Sequence, residues 1–189
     1  MLLLGGIVPS RVVLADTIVK ITLDAKSYTY NGKAKKPKAT VKIDGEELSP
    51  DDYDLTYDSG RKDAGKYKVT VDLKGNYSGS ASATFTIQKA KQSMTVKIKT
   101  VSVKYSKVKT KKQTLAISKV MTIKKAKGTK TYKKLSGSKY LTINKKTGKI
   151  TIKKGAPKKT HKIKIKVTAK GTKNYGKGSK TVTVKIKVK

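Results

Sequence analysis

Apolar and polar residues alternate one by one over many short stretches of this chain. The alternation is clearest at the C-terminal end, where Val182, Val184, Ile186 and Val188 are separated by threonine and lysine residues. A period of two places successive side chains on opposite faces of an extended backbone. The stretch therefore predicts a closing strand with one face in a hydrophobic core and the other in water.

Similar stretches recur along the chain, and turn-forming dipeptides such as Asn31-Gly32 and Thr147-Gly148 separate them. Regular short strands with frequent turns are typical of antiparallel sandwiches. We predict an all-β fold with no long helix. The predicted strands are 18–24, 39–43, 53–57, 66–73 and 81–87, then 94–98, 101–105, 113–117, 120–123, 129–133, 140–144, 149–152, 160–169 and 181–189.

The chain closes a unit twice in the same way. A turn cluster containing Asn76-Tyr77 precedes strand 81–87, and a second cluster containing Asn174-Tyr175 precedes the closing strand. Two small domains also suit a length of 189 residues. We predict two tandem modules, 16–89 and 90–189, joined by a short linker at residues 88–92.

Charge divides the chain at the same point. Residues 1–89 contain 14 basic and all 11 acidic side chains, so the first module is nearly neutral. Residues 90–189 contain the other 33 of the 47 basic residues and no acidic one. Such a one-sided charge predicts attraction to polyanions and electrostatic repulsion within the folded module.

Cysteine is absent, which excludes disulfides, zinc fingers and thiol chemistry. Residues 1–15 are apolar and end with Val13 and Ala15, the small residues that signal peptidase prefers. We predict an export signal there, although its basic n-region is missing. The alternative is a first strand that begins early. The sequence predicts no membrane span.

The arrangement of tyrosine, asparagine and glycine in residues 18–88 resembles bacterial Ig-like repeat modules of Firmicutes cell-surface and secreted proteins. The motifs are Tyr28-Thr-Tyr30-Asn31-Gly32, Tyr53-Asp-Leu-Thr-Tyr57, Gly65-Lys66-Tyr67 and Gly75-Asn76-Tyr77. Residues 141–152, with the Asn174-Tyr175 ending, are similar to the lysine-rich Ig-like modules that often follow. The resemblance implies tandem Ig-like antiparallel β-sandwiches in an extracellular stalk or adhesive segment, and it carries over no catalytic residues.

Candidate catalytic, cofactor and metal sites are few. His161 is the only histidine, so it cannot form a histidine metal cluster, and its place among lysines predicts a solvated strand residue. Residues 60–66 approach a phosphate-binding loop, but Tyr67 stands where a Ser or Thr must hold magnesium. The acidic residues in 44–54 could bind calcium, form a solvated turn or dock against the basic module. We assign no catalytic residue, cofactor or metal ligand, and predict that the protein is not an enzyme.

Lysines on alternate strand positions could simply solvate the outer face and discourage edge-to-edge pairing. Solubility does not require the removal of every acid, however, because surfaces of mixed charge achieve it. We therefore predict weak polyanion-binding sites on the last two strands. The candidate residues are Lys162, Lys164, Lys166, Lys185, Lys187 and Lys189.

Two hypotheses of function remain. The first is a non-catalytic spacer or adhesive segment of a larger bacterial surface protein, flanked by further modules and attached to anionic cell-wall polymers or glycans. The alternative is a soluble secreted protein that binds nucleic acid or glycosaminoglycan. Tyr105 and Tyr140 share a face with apolar neighbours and are predicted to pack in the core or at its rim. No recognition motif for nucleic acid is present, so nucleic acid would be bound only non-specifically.

Overall fold

The structure is a computed structural model that describes residues 18–189. The export signal predicted for residues 1–15 lies outside the described residues. The chain divides into two compact units, the first ending at Lys89 and the second extending from Ala90 to Lys189. Strands dominate both units and form several sheets, which confirms the predicted all-β sandwich fold.

The first unit packs a three-stranded sheet, in the order β1-β3-β4, and a four-stranded sheet, in the order β2-β7-β6-β5, around its core. Neighbouring strands are antiparallel except for β2, which lies parallel to β7. A short 3₁₀ helix, Pro50–Asp52, precedes β5. The strands are β1 (Val19–Leu23), β2 (Ser27–Thr29), β3 (Ala39–Ile43), β4 (Glu46–Glu47), β5 (Tyr53–Tyr57), β6 (Gly65–Leu73) and β7 (Ser80–Gln88).

Alternation decides which side chains enter this core. Val41 on β3, Val69 and Val71 on β6, and Phe85 and Ile87 on β7 are buried, while their sequence neighbours are more exposed. The two sheets of the first unit therefore bury their apolar faces against each other, as the period of two predicts.

The second unit contains a four-stranded sheet in the order β12-β15-β16-β9, a three-stranded sheet, β10-β14-β13, and a two-stranded ribbon, β11-β8. Strand β9 lies parallel to β16, and the other pairs are antiparallel. Two short helices are α1 (Tyr105–Thr110) and α2 (Ile117–Val120). The strands are β8 (Thr95–Ile98), β9 (Val101–Val103), β10 (Gln113–Leu115), β11 (Met121–Lys124), β12 (Lys130–Gly137), β13 (Leu141–Ile143), β14 (Ile150–Ile152), β15 (Thr160–Ala169) and β16 (Gly178–Val188).

The core of the second unit is centred on β15 and β16, which pair along their length from Thr160 opposite Lys187 to Ala169 opposite Gly178. Ile163, Ile165 and Ile186 are fully buried in it. The closing strand therefore has the apolar inner face that its sequence predicts.

The helices α1 and α2 were not predicted, and they replace the ends of predicted strands. Tyr105 and Ile117, each expected to end a strand, instead begin a helix. In α1 the half-buried Tyr105 and the fully buried Val108 are three residues apart, and Ile117 and Val120 repeat that spacing in α2. One helical turn brings such a pair to the same side, so both residues reach the core.

The segment predicted as a linker, residues 88–92, is largely built into the two units. Gln88 is the last residue of β7. The Ala90 amide donates to the Asn174 carbonyl at 2.9 Å. The Gln92 side-chain amide donates to the carbonyls of Lys127 and Gly176, and its oxygen accepts from the Lys127 amide. The linker prediction was wrong at Ala90 and Gln92, because their polar groups bond within the second unit.

Gly148 provides a test of how the β13–β14 hairpin packs. Its φ is +69°, and an added Cβ would lie 2.8 Å from the ring of the buried Tyr132. Gly155 has a φ of +75° with open space around its Cβ position. We expect Gly155→Ala to cost about 1 kcal/mol through backbone strain alone. Gly148→Ala should cost about 1–3 kcal/mol more, because the ring must also move.

Urea denaturation of the full chain measures both changes. Equal losses in free energy of unfolding for the two variants would show that Gly148 does not pack against Tyr132.

Candidate functional site

The predicted lysines of β15 and β16 lie on one face of the four-stranded sheet. Every second residue of β15 from 161 to 169 is buried, so Lys162, Lys164 and Lys166 are exposed on the opposite face. Direct pairing brings Lys185 opposite Lys162. We call this surface the lysine face; its residues are Lys162, Lys164, Lys166, Lys185 and Lys187, interspersed with Ser102, Thr160, Thr168, Thr181 and Thr183.

Lys189, the sixth predicted site residue, follows the end of β16. Its side chain is exposed, and its main chain is bonded next to β9, since its amide donates to the Val103 carbonyl at 3.0 Å. It lies at the end of the lysine face, on the same side by alternation.

Like charges face each other directly on this sheet. Lys162 pairs with Lys185, and Lys166 pairs with Lys133 of β12. Directly opposed like charges destabilise a sheet. No acidic side chain exists in residues 90–189 to compensate them. The ion pair found within residues 18–189 joins Lys74 Nζ to Asp54 Oδ1 at 2.9 Å, and it belongs to the first unit.

A second group of lysines borders the lysine face and shares Lys166 with it; its other lysines were not predicted from the sequence. It lines a groove of about 550 Å³ that includes the opposed Thr131–Thr168 pair. We call it the lysine groove; its residues are Thr129, Thr131, Tyr132, Lys133, Lys145, Lys166, Thr168, Lys170 and Lys177. These positions are far apart in sequence, so only the pairing of β12 with β15 and the course of the loops bring them together.

The structure corrects the prediction that His161 is a solvated strand residue, because the side chain is only 1% exposed. Its Nε2 donates to the Pro157 carbonyl at 3.0 Å, since a carbonyl only accepts. Its Nδ1 is hydrogen-bonded to the Ser138 hydroxyl oxygen at 2.9 Å. The ring also meets Tyr140 edge-on, with centroids 5.6 Å apart. The alternation on β15 contained this signal, because 161 has the same parity as the buried Ile163.

Lys134 also has a structural role. Its ammonium group donates to the carbonyls of Ser138 and Leu141, at 2.7 and 2.8 Å. It lies at the irregularity in the pairing of β12 with β15, between Lys134 and Ser136. Because Lys134 pairs with the buried Ile165, it lies on the inner side of the sheet, and its ammonium group binds main-chain oxygens there instead of contributing to the lysine face.

The four tyrosines of the second unit are poorly placed to stack nucleic-acid bases. Tyr105 and Tyr140 pack against the hydrophobic core, as predicted, and Tyr132 is buried. Burial raises the pKa of Tyr132. The ring of Tyr175 is partly covered and has the Lys127 ammonium over it, 5.3 Å from its centroid.

The first unit offers no constellation for chemistry in its described residues. No three acidic or histidine groups within residues 18–189 are placed to hold a metal ion. Residues 60–64 form the turn before β6, and residues 65 and 66 begin that strand, so the segment is not a phosphate loop. The Tyr67 hydroxyl lies 2.9 Å from the carbonyls of Gly60 and Asp63. Tyr67, at the position that a magnesium-binding hydroxyl would need, thus stabilises the turn.

The match to a known protein family concerns the first unit. Residues 19–91 match the family model of the MBG domain. No curated protein matches the sequence. The first unit is thus similar to MBG domains.

Solved structures similar to the chain include the protocadherin gammaB7 EC3-6 cis-dimer, with 9% identity and a TM-score of 0.41 over 92% of this chain and 50% of that one. Murine CEACAM1b has 8% identity and a TM-score of 0.31, over 89% and 100% of the two chains. The tandem Ig repeats of Dlar have 12% identity and a TM-score of 0.27, over 90% and 97%. The chain spans half the length of the protocadherin chain.

The burial of His161 is testable by replacement. We expect His161→Ala to lower the free energy of unfolding by about 2–4 kcal/mol, because it leaves a cavity and removes both hydrogen bonds. The adjacent exposed Lys162 is the control, and Lys162→Ala should change the free energy by about 0.5 kcal/mol or less. Denaturation of the full chain in urea measures both. Similar small effects would support the solvated histidine that the sequence suggested.

The opposed lysines predict a stabilising charge reversal. We expect Lys185→Glu to raise the Tm at low salt, since it replaces repulsion with Lys162 by an attraction worth about 0.2–1 kcal/mol. Lys185→Thr, which only removes the repulsion, should give a smaller rise. In about 1 M sodium chloride, where the Debye length is about 3 Å, the wild-type Tm should increase and the differences should shrink. A wild-type Tm that is independent of salt would contradict the repulsion.

Proposed function

We propose that this chain is a non-catalytic, extracellular pair of Ig-like modules, a spacer and adhesive segment of a bacterial cell-surface protein of the Firmicutes type. Its second unit attaches to anionic cell-wall polymers or glycans through the lysine face. The observation that carries the proposal is the lysine face itself, which combines regularly spaced lysines and hydroxyls in a unit without acidic side chains. Neighbouring modules of the same protein would continue the stalk.

The first unit supports the spacer role, since it is similar to a repeat-type domain and is nearly neutral in charge. No helix between residues 18 and 189 is both long and apolar enough to span a membrane.

The geometry suits an extended polyanion. Lysines on alternate positions of one strand are about 7 Å apart, and neighbouring strands are about 4.8 Å apart. A flat chain of phosphates or sulfates lying on the sheet meets several ammonium groups at once, and the binding energy comes largely from the release of condensed counterions. Because lysine is a flexible point charge, the face selects for charge density rather than for one sequence of sugars.

Nucleic acid fits this surface less well than a flexible wall polymer does. Binding without sequence preference to single strands combines a basic surface with exposed aromatic platforms. Tyr132 is buried, and Tyr105, Tyr140 and Tyr175 are partly covered, so the lysine face provides charge without stacking. We expect only non-specific contacts with nucleic acid.

Salt-dependent binding tests the proposal. We expect the full chain to bind purified wall teichoic acid, with an affinity that falls steeply as sodium chloride is raised. In Lys162→Gln/Lys164→Gln/Lys185→Gln, the slope of log affinity against log salt should decrease by about 2, at about 0.7 per lost contact. Isothermal titration at several salt concentrations gives the slopes.

The matched control removes the same charge elsewhere in the unit. Three lysines of the second unit lie outside its four-stranded sheet: Lys97 on β8, Lys119 on α2 and Lys124 on β11. Replacing these three by glutamine should leave the slope nearly unchanged. An equal loss in both triple variants would refute a role for the lysine face, and wild-type binding indifferent to salt would refute polyanion attachment. Equally tight binding of DNA would favour the alternative, a soluble secreted polyanion-binding protein.

A further inference from the structure

The lysine groove differs from the lysine face in shape, because its charges surround a concavity. Lys133 and Lys166 come from the paired strands β12 and β15, Lys145 from the β13–β14 hairpin, and Lys170 and Lys177 from the loop between β15 and β16. Ligand-binding clefts of small molecules typically enclose about 300–1,000 Å³. The volume of about 550 Å³ falls within that range.

We propose that the lysine groove is a binding site for a compact anionic saccharide unit, a sugar that carries phosphate or sulfate groups. The inference deepens the proposed function and rests on it, since such a unit would be one residue of the polymer that lies along the lysine face. Lys166 belongs to both surfaces, so a polymer on the face leads directly into the groove.

Charge is the first argument for an anionic ligand. Five lysines converge on one concavity, and residues 90–189 contain no acidic side chain that could pair with them. Lys133 and Lys166 are directly opposite each other, an arrangement that costs stability when the groove holds only solvent. An anion with several negative charges would remove this repulsion, and its binding would therefore stabilise the fold.

The hydroxyl groups are the second argument, and they favour a sugar-bearing anion over a bare one. Thr131 and Thr168 form a directly opposed pair next to Lys133 and Lys166. Thr129 immediately precedes β12. Threonine hydroxyls both donate and accept hydrogen bonds, so they can bind anion oxygens as well as sugar hydroxyls.

Rigidity of the surrounding backbone is the third argument. The Tyr132 amide donates to the Lys145 carbonyl at 2.9 Å, which fixes the hairpin next to β12. On the other side, the Lys170 amide donates to the Thr129 carbonyl at 2.9 Å, and the Gly176 amide to the Ala90 carbonyl at 2.9 Å. Binding then orders mainly lysine side chains rather than loops, which limits its entropic cost.

Three probes at low salt test the proposal on the full chain: a fully sulfated heparin disaccharide, fructose 1,6-bisphosphate and inorganic tripolyphosphate. We expect saturable binding of at least one of the two sugar probes, and the tighter of them identifies sulfate or phosphate as the recognised group. The triple variant Lys145→Gln/Lys170→Gln/Lys177→Gln should bind that sugar at least about tenfold more weakly. Tripolyphosphate should bind more weakly than the preferred sugar.

The control is Lys162→Gln/Lys164→Gln/Lys185→Gln, which removes the same charge from the lysine face and should keep sugar affinity within about twofold. Both variants should retain or raise the wild-type Tm, because each removes repulsion, so a loss of binding would not reflect unfolding. Equal weakening in the two variants, no saturable binding of either sugar, or tightest binding of tripolyphosphate would overturn the groove proposal. Salt-dependent binding of teichoic acid would still stand in those cases, and its failure would instead overturn the proposed function.

Discussion

The long antiparallel pairing of β15 with β16 is the constraint on which the second unit depends. Ten residue pairs in a single register fix every side chain of both strands to one of two faces. A slip by one residue would move the isoleucines into water and the lysines into the core, a change that the buried face excludes. The same register therefore determines the hydrophobic core and the spacing of the lysines on the outer face.

Burial in the core of the second unit must also offset the repulsion among the positive charges on its surface. Fully burying an aliphatic side chain contributes about 1.5–3 kcal/mol, and the buried face of β15 and β16 provides several such side chains. Opposed lysines each cost a fraction of that. The unit can thus maintain an excess of positive charge because burial stabilises the inner face of the sheet independently of the charges on its outer face.

Much of the fold was predictable because strands with one buried face carry their pattern in sequence. Strands β3, β5 and β15 lie where alternation placed them, with identical ends. The helices α1 and α2 were missed because six and four residues are too few for a helical period to show. The prediction for His161 was wrong because its lysine neighbour on β15 faces solvent, whereas position 161 shares the parity of the buried Ile163.

The candidate site was predictable only in part, for a similar reason. Lys162, Lys164 and Lys166 share a face through local geometry, which sequence alone specifies. Lys145 and Lys177 join Lys133 only through strand pairing and loop closure. The linker prediction failed at Gln92 for the same reason. The sequence of a short polar segment does not show whether its hydrogen bonds are made to water or, as for Gln92, to main-chain groups of loops far away in sequence.

The β15–β16 pairing has a further consequence for resistance to proteolysis. Proteases that cleave after lysine find three candidate bonds in each of these strands. Such enzymes bind their substrates as isolated extended segments, and a strand hydrogen-bonded within a sheet cannot enter their active sites until it separates from its neighbour. The lifetime of this lysine-rich unit among such enzymes is therefore governed by how often the sheet opens, and not by how many lysines are exposed.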